Sequence, residues 1–225
     1  MKYTYYGHSS FLIEAEGKKF LFDPFITQNP LAAAIDVKAI EADYIFISHG
    51  HGDHTGDLVL LAKQTGALVI AMAEVANWAT QQGLTNVHAM NYGVATLDFG
   101  KVRMVWATHS SALPDGSNGG NPAGFVIELE GKTIYYAGDT SINMDMKLLA
   151  ELYKVDYAIL PVGGNYTMDA DDALIAAKFV NTERIIGVHY NTMPEITIDK
   201  EVAIAKFSRE NKQLILPAIG ETIEL

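Results

Sequence analysis

No cysteine occurs among the 225 residues. Disulfides and thiolate ligands are therefore excluded, and any metal held by side chains is held through nitrogen or oxygen. Basic residues are scarce too: 16 Lys and Arg stand against 27 Asp and Glu, a formal charge of −11. They are scattered, with no run longer than Lys18-Lys19, so no nucleic-acid partner is expected. The acidic excess reads as a well-solvated surface. No apolar run approaches the ~18 residues that span a bilayer, and no membrane partner is expected. The opening Met1-Lys2-Tyr3-Thr4-Tyr5-Tyr6 lacks an apolar signal-peptide core, which makes cytoplasmic residence the expectation.

With 49% apolar and 19% charged residues, the composition is that of an ordinary folded protein. A chain of this length can bury a sizeable core, and one domain over residues 1–225 is expected. Its densest chemistry lies in Ser48-His49-Gly50-His51-Gly52-Asp53-His54, directly after the apolar Tyr44-Ile45-Phe46-Ile47. The apolar run reads as a short buried strand ending in a glycine-rich turn. Three of the seven histidines fall in this one turn, at the spacing His-x-His-x-Asp-His. Imidazole and carboxylate are ligands that zinc, manganese and iron accept. Gly50 and Gly52 are expected to relax the backbone there. A polar surface turn with chance histidines is the weaker reading, and the spacing points to a metal site.

The chain then echoes itself. Phe125-Val126-Ile127-Glu128-Leu129-Glu130-Gly131-Lys132 matches Phe11-Leu12-Ile13-Glu14-Ala15-Glu16-Gly17-Lys18, and Asp156-Tyr157-Ala158-Ile159-Leu160 matches Asp43-Tyr44-Ile45-Phe46-Ile47. Both hairpins so predicted run out to an aspartate, Asp23 and Asp139. Two β-rich halves with outer helices, divided near residue 115, are expected. Another hairpin is predicted around Gly100, and helices over 57–65, 74–82, 169–180 and 199–211. Residues 25–40 read as irregular, with a short helix as the alternative, and Ser110 to Pro122 as a loop that is either a mobile lid or ordinary surface.

Further ligands are sought at strand ends, which share a rim. His109, Asp139 and His189 stand there, each followed by small polar residues. Taken singly, a histidine at a strand end is more often structural; together, beside the histidine loop, the three read as ligands. Gly164, Asn165 and Asn191, in turns near the same rim, are candidates for substrate contact, although a tight turn explains the glycine equally well. His8, in the polar turn Gly7-His8-Ser9-Ser10, is a candidate for polarising substrate or donating a proton, with a structural histidine as the even alternative.

With these residues in view, the sequence resembles the metallo-β-lactamase-fold hydrolases. The histidine loop matches their signature, and Leu21-Phe22-Asp23-Pro24, His109, Gly138-Asp139-Thr140 and His189 follow in the family's order. Gly7-His8-Ser9-Ser10, Asn121-Pro122-Ala123-Gly124-Phe125 and Leu160-Pro161-Val162-Gly163-Gly164-Asn165 make it most similar to small metal-dependent hydrolases related to ascorbate-6-phosphate lactonase.

The resemblance implies an α/β protein, a four-layer αβ/βα sandwich with two pseudo-symmetric halves. It further implies two divalent ions, zinc or manganese first and iron admissible. His49, His51 and His109 would hold one ion, Asp53, His54 and His189 the other, with Asp139 bridging. Asp53 would also hold the attacking oxygen, and Asp23 would hydrogen-bond a ligand, an N-cap or turn role being about as good an account of it. Two divalent ions would bring +4 against −2 from Asp53 and Asp139 and −1 from a hydroxide, leaving about +1.

The expected activity is hydrolysis of a small ester, lactone or phosphodiester by a metal-activated hydroxide. No Lys or Arg stands beside a ligand motif, which slightly favours a neutral ester or lactone. A mononuclear iron enzyme of the persulfide dioxygenase kind, and a metal-binding or sensing module without turnover, are the alternatives. The partner is a small-molecule substrate; a homo-oligomer is left open.

Overall fold

The computed structural model describes residues 1–225. Its strands are β1 (Lys2–Gly7), β2 (Ser10–Ala15), β3 (Lys18–Phe22), β4 (Tyr44–Ile47), β5 (Leu68–Met72), β6 (Val87–Met90) and β7 (Gly93–Leu97). They continue as β8 (Gly100–Trp106), β9 (Ala123–Leu129), β10 (Lys132–Tyr136), β11 (Tyr157–Pro161), β12 (Arg184–Val188), β13 (Gln213–Ile215) and β14 (Thr222–Glu224). The helices are α1 (Gly52–Thr55), α2 (Leu58–Thr65), α3 (Ala73–Gln81), α4 (Asp145–Leu152), α5 (Ala170–Phe179) and α6 (Lys200–Arg209). The stretch 25–40 carries two 3-10 turns, Pro30–Ala32 and Val37–Ala39.

The chain forms two units. Met1–Asn91, Ser110–Pro122 and Pro217–Leu225 make the first, Tyr92–His109 and Ala123–Leu216 the second. The first holds the sheet β14-β1-β2-β3-β4-β5-β6, the second β7-β8-β9-β10-β11-β12-β13. In each, the strands are antiparallel up to the central hairpin and parallel beyond it. The parallel strands β4 and β11 are buried throughout, which is why their sequences are unbroken apolar runs.

The internal echo is kept in detail. Phe11 pairs with Phe22 and Phe125 with Tyr136, and each hairpin closes through Glu-Gly with both residues left-handed: Glu16 and Gly17 at φ 54 and 73, Glu130 and Gly131 at 51 and 73. Positive φ at both positions is what a two-residue turn needs to match the strand twist. Asp43 and Asp156 repeat one hydrogen-bond pair. Asp43 accepts Lys19 N–H at 2.8 Å and donates its own N–H to Lys19 O at 2.9 Å. Asp156 does the same with Thr133, at 2.9 Å each way.

In the first unit, Tyr3, Phe11, Phe22 and Phe46 stack across four strands with ring centroids 5.1, 4.5 and 4.8 Å apart. This aromatic ladder fixes the strand ends from which Asp23 and Ser48 emerge. Helix α3 packs on β5 and β6; in the second unit α5 packs on β11 and α6 on β13.

Three expectations need correction. The hairpin of β7 and β8 turns at Asp98-Phe99, while Gly100 (φ 129) pairs with Leu97 and opens β8. Neither Gly50 nor Gly52 is left-handed. Gly50 is instead short of space, since a Cβ there would lie 3.1 Å from Leu113, and Gly52 begins α1 in the open. Helix α4 has no counterpart in the sequence reading. Met146 and Leu149 are buried while Leu148 and Leu152 are exposed, so only part of its apolar side is covered.

Candidate functional site

In the first unit the site begins with Asp23, fully buried at the end of β3. Its Oδ1 accepts Ser48 N–H at 2.7 Å, and its Oδ2 accepts Ser48 Oγ–H at 2.5 Å and His54 Nδ1–H at 2.8 Å. An ionised carboxylate only accepts, so the His54 proton sits on Nδ1 and its lone pair on Nε2. The same logic runs through Ser48. Its one proton goes to Asp23, so it accepts from His49 Nδ1–H, 3.0 Å away. His49 is thereby left with its lone pair on Nε2. One buried aspartate sets the tautomers of two histidines, the arrangement that imidazole ligands require.

The loop brings the other donors to the same place. His49 Nε2 lies 2.9 Å from His51 Nδ1. Two nitrogens at ~2.0–2.1 Å from a tetrahedral ion stand roughly 3.4 Å apart, so this pair needs little movement to share one. Helix α1 is only four residues long and carries Asp53 and His54; Asp53 Oδ2 is 3.8 Å from His54 Nε2 and 2.9 Å from His8 Nε2. Asp23, His49 and His54 offer donor atoms within 4.8 Å of one another, as do His8, Asp53 and His54. The nitrogen and oxygen donor set, with tautomers fixed from behind, fits a divalent ion.

The second unit contributes its own group. Asp139, 2% exposed, follows β10; its Oδ2 lies 3.0 Å from His189 Nε2 and 3.8 Å from His109 Nε2. Thr140 ties these strand ends together. Its Oγ1 accepts Thr108 N–H at 2.9 Å and donates to Ser141 O at 2.7 Å, and its carbonyl accepts Met168 N–H at 2.9 Å.

Backbone conformation marks the same positions. His8 (φ 55), Asp23 (φ 40) and His189 (φ 54) are left-handed without being glycine. Each such residue costs about 1–2 kcal/mol and persists only where its surroundings hold it.

The three residues singled out for substrate contact make turns. Gly164 (φ 74) and Asn165 (φ 58) form one closed by Gly164 N–H to Met168 O at 3.0 Å, with Asn165 exposed. Asn191 Oδ1 accepts Ile198 N–H at 2.7 Å, so that oxygen holds the following loop. Gly163, beside Gly164, packs against the backbone carbonyl of His189.

Several supports escaped the sequence reading. Ser48 and Thr140 look like ordinary hydroxyls beside ligands, and that adjacency is their only signal. Asp57, 2% exposed, accepts Ile26 N–H at 2.6 Å, Thr27 N–H at 2.9 Å and Thr27 Oγ1–H at 2.5 Å, pinning the chain after Asp23-Pro24. Ser111 Oγ accepts Gly50 N–H at 3.0 Å, and Trp78 Nε1–H donates to Asp115 at 3.1 Å, so the 110–122 loop is fastened at two points.

A family profile described as Beta-lactamase superfamily domain matches residues 2–189, and the chain belongs to that superfamily, with the metallo-β-lactamase fold. It is 51% identical over 226 residues to a UPF0173 metal-dependent hydrolase of Flavobacterium johnsoniae, covering 100% of both chains. It is 47% identical over 227 residues to one of Christiangramia forsetii, again with 100% of both covered. Among solved structures, Igni18, described as a novel metallo hydrolase from the archaeon Ignicoccus hospitalis, matches with a TM-score of 0.89. It is 35% identical, with 100% of this chain and 98% of that one covered. Within the superfamily, the chain falls among the UPF0173 metal-dependent hydrolases.

Proposed function

We propose that this chain is a metal-dependent hydrolase acting on a small ester or lactone, with a phosphodiester as the charged alternative. His49, His51 and His109 would hold one divalent ion and Asp53, His54 and His189 a second, with Asp139 offering its carboxylate to both. Zinc or manganese suits these nitrogen and oxygen donors best, and iron is admissible. When bound, such ions supply Lewis acidity, which makes water a nucleophile near neutral pH and polarises the bond attacked.

The observation that carries this reading is the place of Asp139. One carboxylate oxygen faces two histidines that the ligand pattern assigns to different ions, as a bridging group must. The chain's own groups do the rest. Asp53, 26% exposed, is the site carboxylate nearest to solvent, placed to orient and deprotonate an incoming water. Asp23 and Ser48 hold the ligand histidines in the tautomer that binds.

Neutral substrate is favoured by how the strand arginines are used. Arg184 Nη1 donates to Tyr157 OH at 3.2 Å and lies 5.1 Å from that ring, while Arg103 Nε donates to Tyr153 OH at 2.7 Å. Neither is spare for a phosphate. The test is a screen of the purified protein with Zn²⁺, Mn²⁺ or Fe²⁺ against lactones, p-nitrophenyl esters and bis-p-nitrophenyl phosphate. Chelator-sensitive hydrolysis, fastest on esters or lactones, is expected; no metal-dependent hydrolysis of any of them overturns the reading.

A further inference from the structure

We propose that His8 is itself a ligand of the second ion, bound through Nε2 beside Asp53 and His54. This rests on the reading of the site as a metal centre and adds a ligand from the first hairpin, outside the histidine loop. A proton donor would have to face the substrate. His8 is fully buried, and its Nε2 is turned to the Asp53 carboxylate, 2.9 Å away.

The spacing is that of ligands to one ion. At bond lengths of ~2.0–2.2 Å, two donors at right angles stand about 3 Å apart, and wider angles bring them nearer 4 Å. His8 Nε2 to Asp53 Oδ2 is 2.9 Å, Asp53 Oδ2 to His54 Nε2 is 3.8 Å, and the three donors lie within 4.8 Å of one another.

The backbone holds His8 for this purpose. A two-residue hairpin turn is ordinarily exposed, yet His8, Ser9 and Ser10 are all fully buried. His8 is left-handed, at φ 55, and Tyr5 OH donates to its carbonyl at 2.9 Å, locking the turn. Its ring meets those of His54 and Phe25 edge-on, with centroids 5.7 and 5.6 Å away, so the imidazole has one orientation.

The test is His8→Gln, which keeps a hydrogen-bond donor towards Asp53 but removes the imidazole. Metal content by elemental analysis, and the visible absorption of the Co²⁺-substituted protein, are read against the wild type. The expected result is loss of about one of two equivalents, or a weakening of the second site by at least tenfold, with a changed Co²⁺ spectrum. Unchanged stoichiometry, affinity and spectrum in the variant overturn the inference and leave the metal centre standing. A wild type that binds no metal overturns both. Should His8→Gln fail to fold, Tyr5→Phe loosens the turn without touching a ligand. It must then shift the Co²⁺ absorption, and an unshifted spectrum overturns the inference.

Discussion

Gly163 lies so close to the backbone carbonyl of His189 that no Cβ fits between them; a methyl group there would also stand 2.9 Å from Ile196 Cβ. The glycine is thus required by the backbone of His189, a residue proposed as a ligand. Gly163→Ala must push the His189 turn away from β11. It is expected to destabilise the fold by about 1–3 kcal/mol, as overpacking does, and to weaken metal binding roughly 10–100-fold. Urea unfolding and a metal titration on the same preparation check both.

Asp23 is satisfied by three donors in a site closed to water. Asp23→Ala strands them, at about 1–3 kcal/mol for each buried group left without an acceptor. A loss of several kcal/mol in denaturant unfolding is expected, with metal affinity falling for both histidines it orients. Ser48→Ala tests the longer arm alone: it keeps the His54 contact and frees only His49, so one ion should loosen more than the other in a two-site titration.

Thr140→Val keeps shape and removes the hydroxyl that links the His109 and Asp139 strand ends. The Thr108 N–H loses its acceptor, so a loss of about 1–3 kcal/mol is expected. If His109 and Asp139 are ligands as proposed, metal content should fall with it, because both stand on that junction.

Away from the site, burial together with Asp169 and Asp171 holds the Asp172 carboxyl above its ordinary range at the start of α5. A raised native pKa penalises the folded state once the group is ionised in both states, and the penalty fades as pH falls through the carboxyl range. Asp172→Asn should therefore raise the thermal midpoint slightly at pH 7, and the gain should vanish under acid conditions.

Much of this architecture is legible in the residues. The repeated Phe-x-Ile-Glu hairpins, the buried parallel strands and the histidine loop all carry local patterns that tertiary packing reinforces. His109, Asp139 and His189 can be singled out because they end strands, and the structure brings both histidines to the Asp139 carboxylate. What could not be read is set by contacts between distant parts of the sequence. Ser48 matters through its link to Asp23, Asp57 through the backbone of Ile26 and Thr27, and Gly163 through His189. Gly50 belongs with them, since crowding by Leu113, and not dihedral freedom, is what governs it.

The central claim is that this chain gathers nitrogen and oxygen donors to hold two catalytic ions. Elemental analysis of the purified protein, before and after chelation, with hydrolysis followed in parallel, tests it most directly. The account predicts about two equivalents of divalent metal per chain, activity lost on their removal and restored on their return. Hydrolysis that persists in a chain stripped of metal would contradict it.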